Sequence, residues 1–341
     1  VLEADREKVY DSAGRSIPQW VMTYPDQIRN RYEYMLTNGQ AVACSGGIGM
    51  IDPIYLSDWI SALLSERMER KTNTIFELLD TYGNDWNEVF YVTLARNFGF
   101  GVNSDAFDRL ARSLPVKYIN KHGDSQFQVE ALLLGQAGIL DANAAFDDYY
   151  VRLQKEYQAL RNKYELTPLD AYIFRSLRVR PDNFPYIKIV QLASLIRNSQ
   201  HLFSAILHVE NIKNYAPLFI AEVSDYWLTH YHFGKESPRK PKSLATSSIH
   251  VLLINTVAPI LFAYGKKHGT DKYIDRAIRL LESLPAERNH IITQFGQAGL
   301  VCLSAADSQG VIQLKREYCE KKKCIYCRIG YKLLSVKPTK R

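Results

Sequence analysis

Residues 57–79 read SDWISALLSERMERKTNTIFELL, and this stretch decides the fold class. Ser57-Asp58 is a capping start, after which Trp59, Ile60, Leu63, Leu64 and Met68 recur at helical spacing along one face. Glu66, Arg67, Glu69, Arg70 and Lys71 form the return face, a mixed-charge surface suited to water. The pattern predicts a long helix from Trp59 to about Leu79.

Working outward, the same period dominates. Pro25-Asp26 opens a helix to about Leu36, stopped by Asn38-Gly39, and the glycine-rich Cys44 to Gly49 reads as a loop. Beyond residue 80, helices are expected over 86–97, 105–114, 125–140, 144–163, 168–177, 187–207, 247–264, 271–284 and 287–297. Strand-like alternation is confined to the first residues, where Val1 to Asp5 reads as the end of a strand before a turn at Asp11-Ser12-Ala13-Gly14. The expected fold is mainly α. Residues 1–24 are a β remnant, 25–300 a multi-helix body and 301–341 a small Cys-containing tail.

The body carries an internal echo. Phe107-Asp108-Arg109, Ser113-Leu114-Pro115 and Leu134-Gly135-Gln136-Ala137-Gly138 recur as Ile274-Asp275-Arg276, Ser283-Leu284-Pro285 and Phe295-Gly296-Gln297-Ala298-Gly299. Each set follows an apolar helix ending in an aromatic and Gly. Two related helical units, about 86–140 and 249–300, are expected.

Composition is that of a globular protein, with 46% hydrophobic and 23% charged residues, so disorder is not expected. The 22 Tyr and 14 Phe favour well-filled cores. The longest apolar run, Ile249 to Tyr264, is interrupted by Asn255, Thr256 and Pro259, so it is expected as a core helix without a membrane partner. The net charge of +7 is unevenly placed: residues 311–341 hold ten Lys/Arg against two Asp/Glu, a net of +8, which leaves −1 for the rest. A basic tail on a neutral body points to an anionic partner, most commonly nucleic acid.

The most specific motif is Cys319-x4-Cys324-x2-Cys327. Cys-x2-Cys places two thiolates on one tight turn, and a third Cys upstream can join the same centre. Cys302 or Cys44 would supply a fourth ligand, with His290 as an imidazole option. Zinc is the first cofactor expected and an iron–sulfur centre the second. Lys315, Arg316, Lys321, Lys322 and Lys323 would lower the thiol pKa values and favour thiolates. Five cysteines, an odd number, argue for reduced thiols and a cytoplasmic setting. The bland alternative is three free cysteines in a small turn.

Candidate nucleic-acid contacts are Lys315, Arg316, Lys321, Lys322, Lys323 and Arg328 in the tail, and Lys235, Arg239 and Lys240 in the loop His230 to Ser243. That loop also carries His230 and His232, without an acidic or Cys partner at ligand spacing. Arg175, Arg178 and Arg180 are expected to complement the dipole at a helix C-terminus. Gly99-Phe100-Gly101 reads as a turn between helices, and Asp147-Asp148 as a solvated helix face. No complete catalytic constellation is present, so no catalytic residue is assigned.

Thr93 to Asn103 (TLARNFGFGVN), Thr229-His230-Tyr231 with Phe233-Gly234, Ala305 to Gln309 (AADSQ) and Ile312 to Cys319 (IQLKREYC) resemble an uncharacterised bacterial family filed as domain of unknown function 2851. The likeness runs over essentially the whole chain. It implies that longer members begin with a further segment similar to a restriction-endonuclease core, in which an Asp and a later Glu-x-His-x-Lys serve a divalent metal. This chain would start just after that segment, so no catalytic residue transfers to it. The function expected from the resemblance and the basic tail is a helical accessory region of a nucleic-acid-acting protein. The alternative is a structural or protein-interaction module with a metal or thiol clip.

Overall fold

In a computed structural model the described residues are 9–18, 24–141, 143–198 and 201–335. The strand expected at Val1 to Asp5 lies outside them, as do Lys337, Lys340 and Arg341. The turn that follows is present: Tyr10 bridges Ser16, and the Asp11 carboxylate accepts the Ala13 and Arg15 N–H groups at 2.9 Å each.

The fold is mainly α. The chain runs through α1 (Asp26–Thr37), α2 (Ser45–Ile48), α3 (Pro53–Thr81), α4 (Trp86–Phe98), α5 (Ser104–Ser113), α6 (Val116–Asn120), α7 (Gln126–Gln136) and α8 (Asp148–Tyr164). It continues through α9 (Pro185–Asn198), α10 (Leu202–His208), α11 (Asp225–Thr229), the hairpin strands β1 (His230–His232) and β2 (Lys235–Glu236), α12 (Thr246–Leu252) and α13 (Ala258–His268). It closes with α14 (Asp271–Ser283), α15 (His290–Gln297), α16 (Ala305–Gln313) and α17 (Arg328–Ser335).

Two compact units divide these elements. Unit 1 comprises residues 1–63, 288–302 and 310–341; unit 2 comprises 64–287 and 303–309. The division cuts across the boundaries expected at 24/25 and 300/301, because the Cys tail shares a unit with α1 and α2. Unit 1 has its own core, in which Trp59 and Leu63 meet Phe295, Leu300, Leu314 and Ile329. Unit 2 holds the larger core. There α7 and α9 are buried nearly all round, while α5 and α14 bury a single face.

Helix starts follow sequence chemistry closely. Asp85 caps α4 through the Asn87 and Glu88 N–H groups, Ser125 caps α7, and Asn289 caps α15. The expected echo has structural counterparts: α4–α5 and α13–α14 are packed pairs, and α7 and α15 both end in Gly-Gln-Ala-Gly with a final glycine at positive φ, 72° at Gly138 and 95° at Gly299.

Several expectations need correction: the stretch Cys44 to Gly49, expected as a loop, contains the short helix α2. Residues 168–177 form no α-helix, only a 3-10 turn at Ala171–Ile173. Groups distant in sequence take over backbone bonds here: the Gln136 main-chain carbonyl accepts Leu169 N–H at 2.8 Å, and the Gln136 side-chain amide donates to Thr167 O at 2.8 Å. Asn103 clamps Arg175, accepting its N–H at 2.7 Å and donating to its carbonyl at 3.0 Å. Gly138 makes this overlay possible, since a Cβ there would strike the Leu169 carbonyl. With no helix ending there, Arg175, Arg178 and Arg180 do not complement a dipole. The loop at 230–243 begins instead as the β1–β2 hairpin, turned at Gly234.

The apolar run at 249–264 is part of a continuous helical stretch, Thr246–His268, with a π-helical segment at Leu253–Val257. By length and composition it would suffice to cross a bilayer, yet 61% of its most apolar window is buried inside the protein. Pro259 has no N–H to offer the Asn255 carbonyl. The Asn97 amide donates to that carbonyl at 3.0 Å and to Thr256 Oγ1 at 2.9 Å.

Candidate functional site

Unit 1 brings four cysteines to one cavity. The π-helical segment Leu314–Cys319 carries Cys319 to its end. Lys322, at φ 51°, reverses the chain, and a 3-10 turn at Cys324–Tyr326 places Cys324 before Cys327, which leads into α17. Gly330 on α17 lies so close to the Cys324 carbonyl that any Cβ would collide with it. Cys44 arrives from the other end of the sequence, as the residue preceding α2. Its loop is fixed by Asn38 Nδ2 donating to Ala43 O at 3.1 Å and by Lys315 Nζ donating to Ala41 O at 2.6 Å.

Cys44, Cys319, Cys324 and Cys327 line a cavity of about 260 Å³ together with Lys315 and Tyr318. Of the two further cysteines considered, Cys44 lines this cavity; Cys302 and His290 are not among its lining residues. All five cysteines are free thiols. Among the described residues, no three or more His, Cys, Asp or Glu side chains are gathered closely enough to hold a single metal ion.

The electrostatics reverse one expectation. Burial, not the neighbouring lysines, dominates the thiols: it pushes Cys44 up to about 12 and raises Cys319, Cys324 and Cys327. Lys315 opposes the rise at Cys319 without overcoming it, because a cation beside a desolvated thiol recovers only part of the lost hydration. The thiols are therefore neutral until something more strongly charged displaces their protons. Against burial, the Gly330 and Ile329 backbone N–H groups and the Trp59 indole favour the Cys327 thiolate.

The tail cations fall into two groups. Lys315 bonds Ala41 O, Lys321 pairs with Glu317 at 2.5 Å, and Arg328 pairs with Asp58 while lying 5.0 Å over the Trp59 ring. Arg316, Lys322 and Lys323 are exposed. Beside them Tyr326 and Tyr331 are 72% and 63% exposed. In unit 2, Arg239 pairs with Asp225 at 3.3 Å and Lys240 with Asp182 at 3.0 Å, while Lys235 is exposed. The hairpin histidines do not converge: His230 stacks on Tyr226 at 3.9 Å, and His232 sits against Phe184 and Tyr186. Asp147 is no solvated face either, since it caps α8 through Tyr150 N–H and holds the hairpin through Gly234 N–H, each at 2.8 Å.

Sequence reasoning missed a cleft of about 420 Å³ in unit 2, where Arg70, Lys71, Arg96 and Arg112 surround Asn97 and Asn255. Asp108 restrains two of these cations, at 2.6 Å from Arg112 and 3.6 Å from Arg96. Three of the cleft residues, Thr93, Arg96 and Asn97, lie in the TLARNFGFGVN stretch, which carried the family resemblance and was otherwise read as a helix end and turn.

A family described as a protein of unknown function (DUF2851) matches residues 1–290. The chain belongs to that family. The match includes Cys44 and stops short of the other four cysteines, whereas the likeness read from the sequence extended through the tail. No curated protein and no solved structure matches the chain.

Proposed function

We propose that this DUF2851 chain is a helical accessory region of a nucleic-acid-acting protein, whose four-thiol centre is a metal clip that holds the basic tail as a platform for single-stranded nucleic acid. The observation that carries the reading is that one tail holds Tyr326 and Tyr331, both strongly exposed, and the exposed cations Lys322, Lys323 and Lys332. Cations that track phosphates beside aromatic faces that stack on bases make up a sequence-tolerant single-strand surface. A folded tail needs rigid support to present such a surface, and a closed thiolate centre supplies that support without any open catalytic position.

Filter binding of a single-stranded oligonucleotide tests it. Binding at micromolar protein is expected, with affinity falling as salt rises by a log–log slope of about −0.7 per phosphate neutralised. Replacing both tyrosines by Ala should cost about 1–3 kcal/mol per stacked base. Absence of binding, or binding insensitive to salt, would refute it.

A second reading, a structural or protein-interaction module, draws on the internal engagement of Lys315, Lys321 and Arg328, which spends part of the basic charge on folding. Under that reading, reversing the charge of Lys322 and Lys323 leaves nucleic-acid binding unchanged.

A further inference from the structure

We propose that the cavity between Cys44, Cys319, Cys324 and Cys327 holds an iron–sulfur cluster rather than a single zinc ion. The inference rests on the metal-clip reading above and names what the clip contains.

The donor set comes first. The cavity is lined by four thiols and no imidazole, and its only carboxylate, Glu320, is exposed. An all-thiolate set selects soft or polynuclear centres. Size decides between them. Zinc draws four sulfurs to about 2.3 Å from one point, which gathers the ligands tightly. Here the thiols are not gathered around a point. They line, with eleven other residues, a cavity of about 260 Å³, which leaves room for more than one metal atom. A cluster distributes its Cys ligands over several irons and fills the space between them with bridging sulfides.

The surroundings of Cys327 add an independent observation. Trp59 Nε1 is buried and has no hydrogen-bond partner among the described residues. Trp59 and Cys327 belong to the same buried core of unit 1, with Ile329 beside them. A buried indole N–H without an oxygen partner is costly, and a metal-bound thiolate is the acceptor that satisfies it. Lys315 and Lys322, which also line the cavity, offset the negative charge of four thiolates.

The test uses this whole chain, produced with added iron and purified without oxygen. Iron, zinc and acid-labile sulfide are measured per chain alongside visible absorption. Iron and sulfide are expected in equal amounts, about two to four of each, with a broad visible band that reductant bleaches. Cys44→Ala should lower bound iron severalfold, and Cys302→Ala should leave it unchanged. Should Cys44→Ala fail to fold, the metal content of the unaltered chain still decides the point. One zinc per chain without sulfide would overturn the cluster and leave the metal clip standing. No metal, even after reconstitution with iron and sulfide, would overturn both. Full iron in Cys44→Ala, with loss in Cys302→Ala, would overturn the ligand assignment.

Discussion

Glu130 on α7 is fully buried, and its carboxylate is the acceptor for a cage of donors. Oε2 receives Tyr149 OH at 2.6 Å, Trp227 Nε1 at 2.9 Å and Ser224 Oγ at 3.3 Å, and Oε1 receives Gln126 Nε2 at 2.8 Å. Replacing it with Leu keeps the volume and strands the donors. Ser224 can turn to the Tyr149 hydroxyl, 3.3 Å away. That leaves Trp227, Tyr149 and Gln126, at about 1–3 kcal/mol for each unsatisfied buried group. With some return from the added apolar burial, Glu130→Leu should cost about 3–5 kcal/mol. Glu130→Gln should behave very differently. Its carbonyl can take the Oε2 position, and its amide then faces Gln126, whose own Oε1 is buried without a partner and becomes the acceptor once that amide flips. The expected cost is within about 1 kcal/mol. Burial raises the Glu130 pKa against the four donors. Below the ordinary value of 4.5 the carboxyl is neutral whether folded or unfolded. As pH rises from there, the unfolded chain releases the proton first, so the natural protein loses stability relative to Glu130→Gln until the raised folded pKa is passed. Urea unfolding followed by far-UV circular dichroism at several pH values measures all three proteins. A Gln variant as damaged as the Leu variant, or a pH trend of opposite sign, would refute the reasoning.

Asn97→Ala removes the donor to the carbonyl that Pro259 leaves unserved and should destabilise the protein by about 1–2 kcal/mol in the same assay. Lys188 is only 5% exposed, and burial lowers its pKa from 10.5 to about 8, with Asp182 opposing. Between those values the folded protein releases a proton that the unfolded chain keeps, so stability should rise with pH across the window. Lys188→Met should abolish that rise and gain about 1–3 kcal/mol at pH 7, after loss of the 3.0 Å bond to Gln191. Gly330→Ala places a Cβ against the Cys324 carbonyl and should lower the protein's thermal midpoint and its metal content together.

The fold was legible where one signal dominated. The apolar stripe from Trp59 to Met68 marks the long helix Pro53–Thr81, and the ranges 86–97 and 287–297 begin within three residues of the observed helices. Sequence failed where a distant side chain competes with local propensity. Residues 168–177 have helical composition, but Gln136 and Asn103 claim their backbone groups, and neither is a neighbour in sequence. Asp147 looked solvated because its hairpin partners lie far along the chain. At the candidate site, Cys-x4-Cys-x2-Cys was legible because its ligands share a short turn. The choice of Cys44 over Cys302 was not, because both are remote from that turn and Cys302 is the nearer in sequence. The thiol pKa direction was also illegible: the lysines are visible in the sequence, and the burial that outweighs them is not.

A bond from Cys44 to the tail cysteines makes most physical sense in the way unit 1 is assembled. Its core is the smaller of the two and draws on three stretches that unit 2 separates in sequence: residues 1–63, 288–302 and 310–341. Small cores seldom secure themselves by apolar burial alone and recruit covalent or metal cross-links. Joining Cys44 to Cys319 closes a loop containing nearly the whole of unit 2, which is the kind of long closure whose entropy a cross-link best offsets. Four protonated thiols offer nothing comparable by themselves; under the metal-clip proposal, binding a metal centre would become folding free energy. The basic charge, the aromatic surface and the cysteines therefore sit in one tail for one reason. Under that proposal, the cysteines that would fold the tail would also fix where its Tyr326 and Lys323 stand.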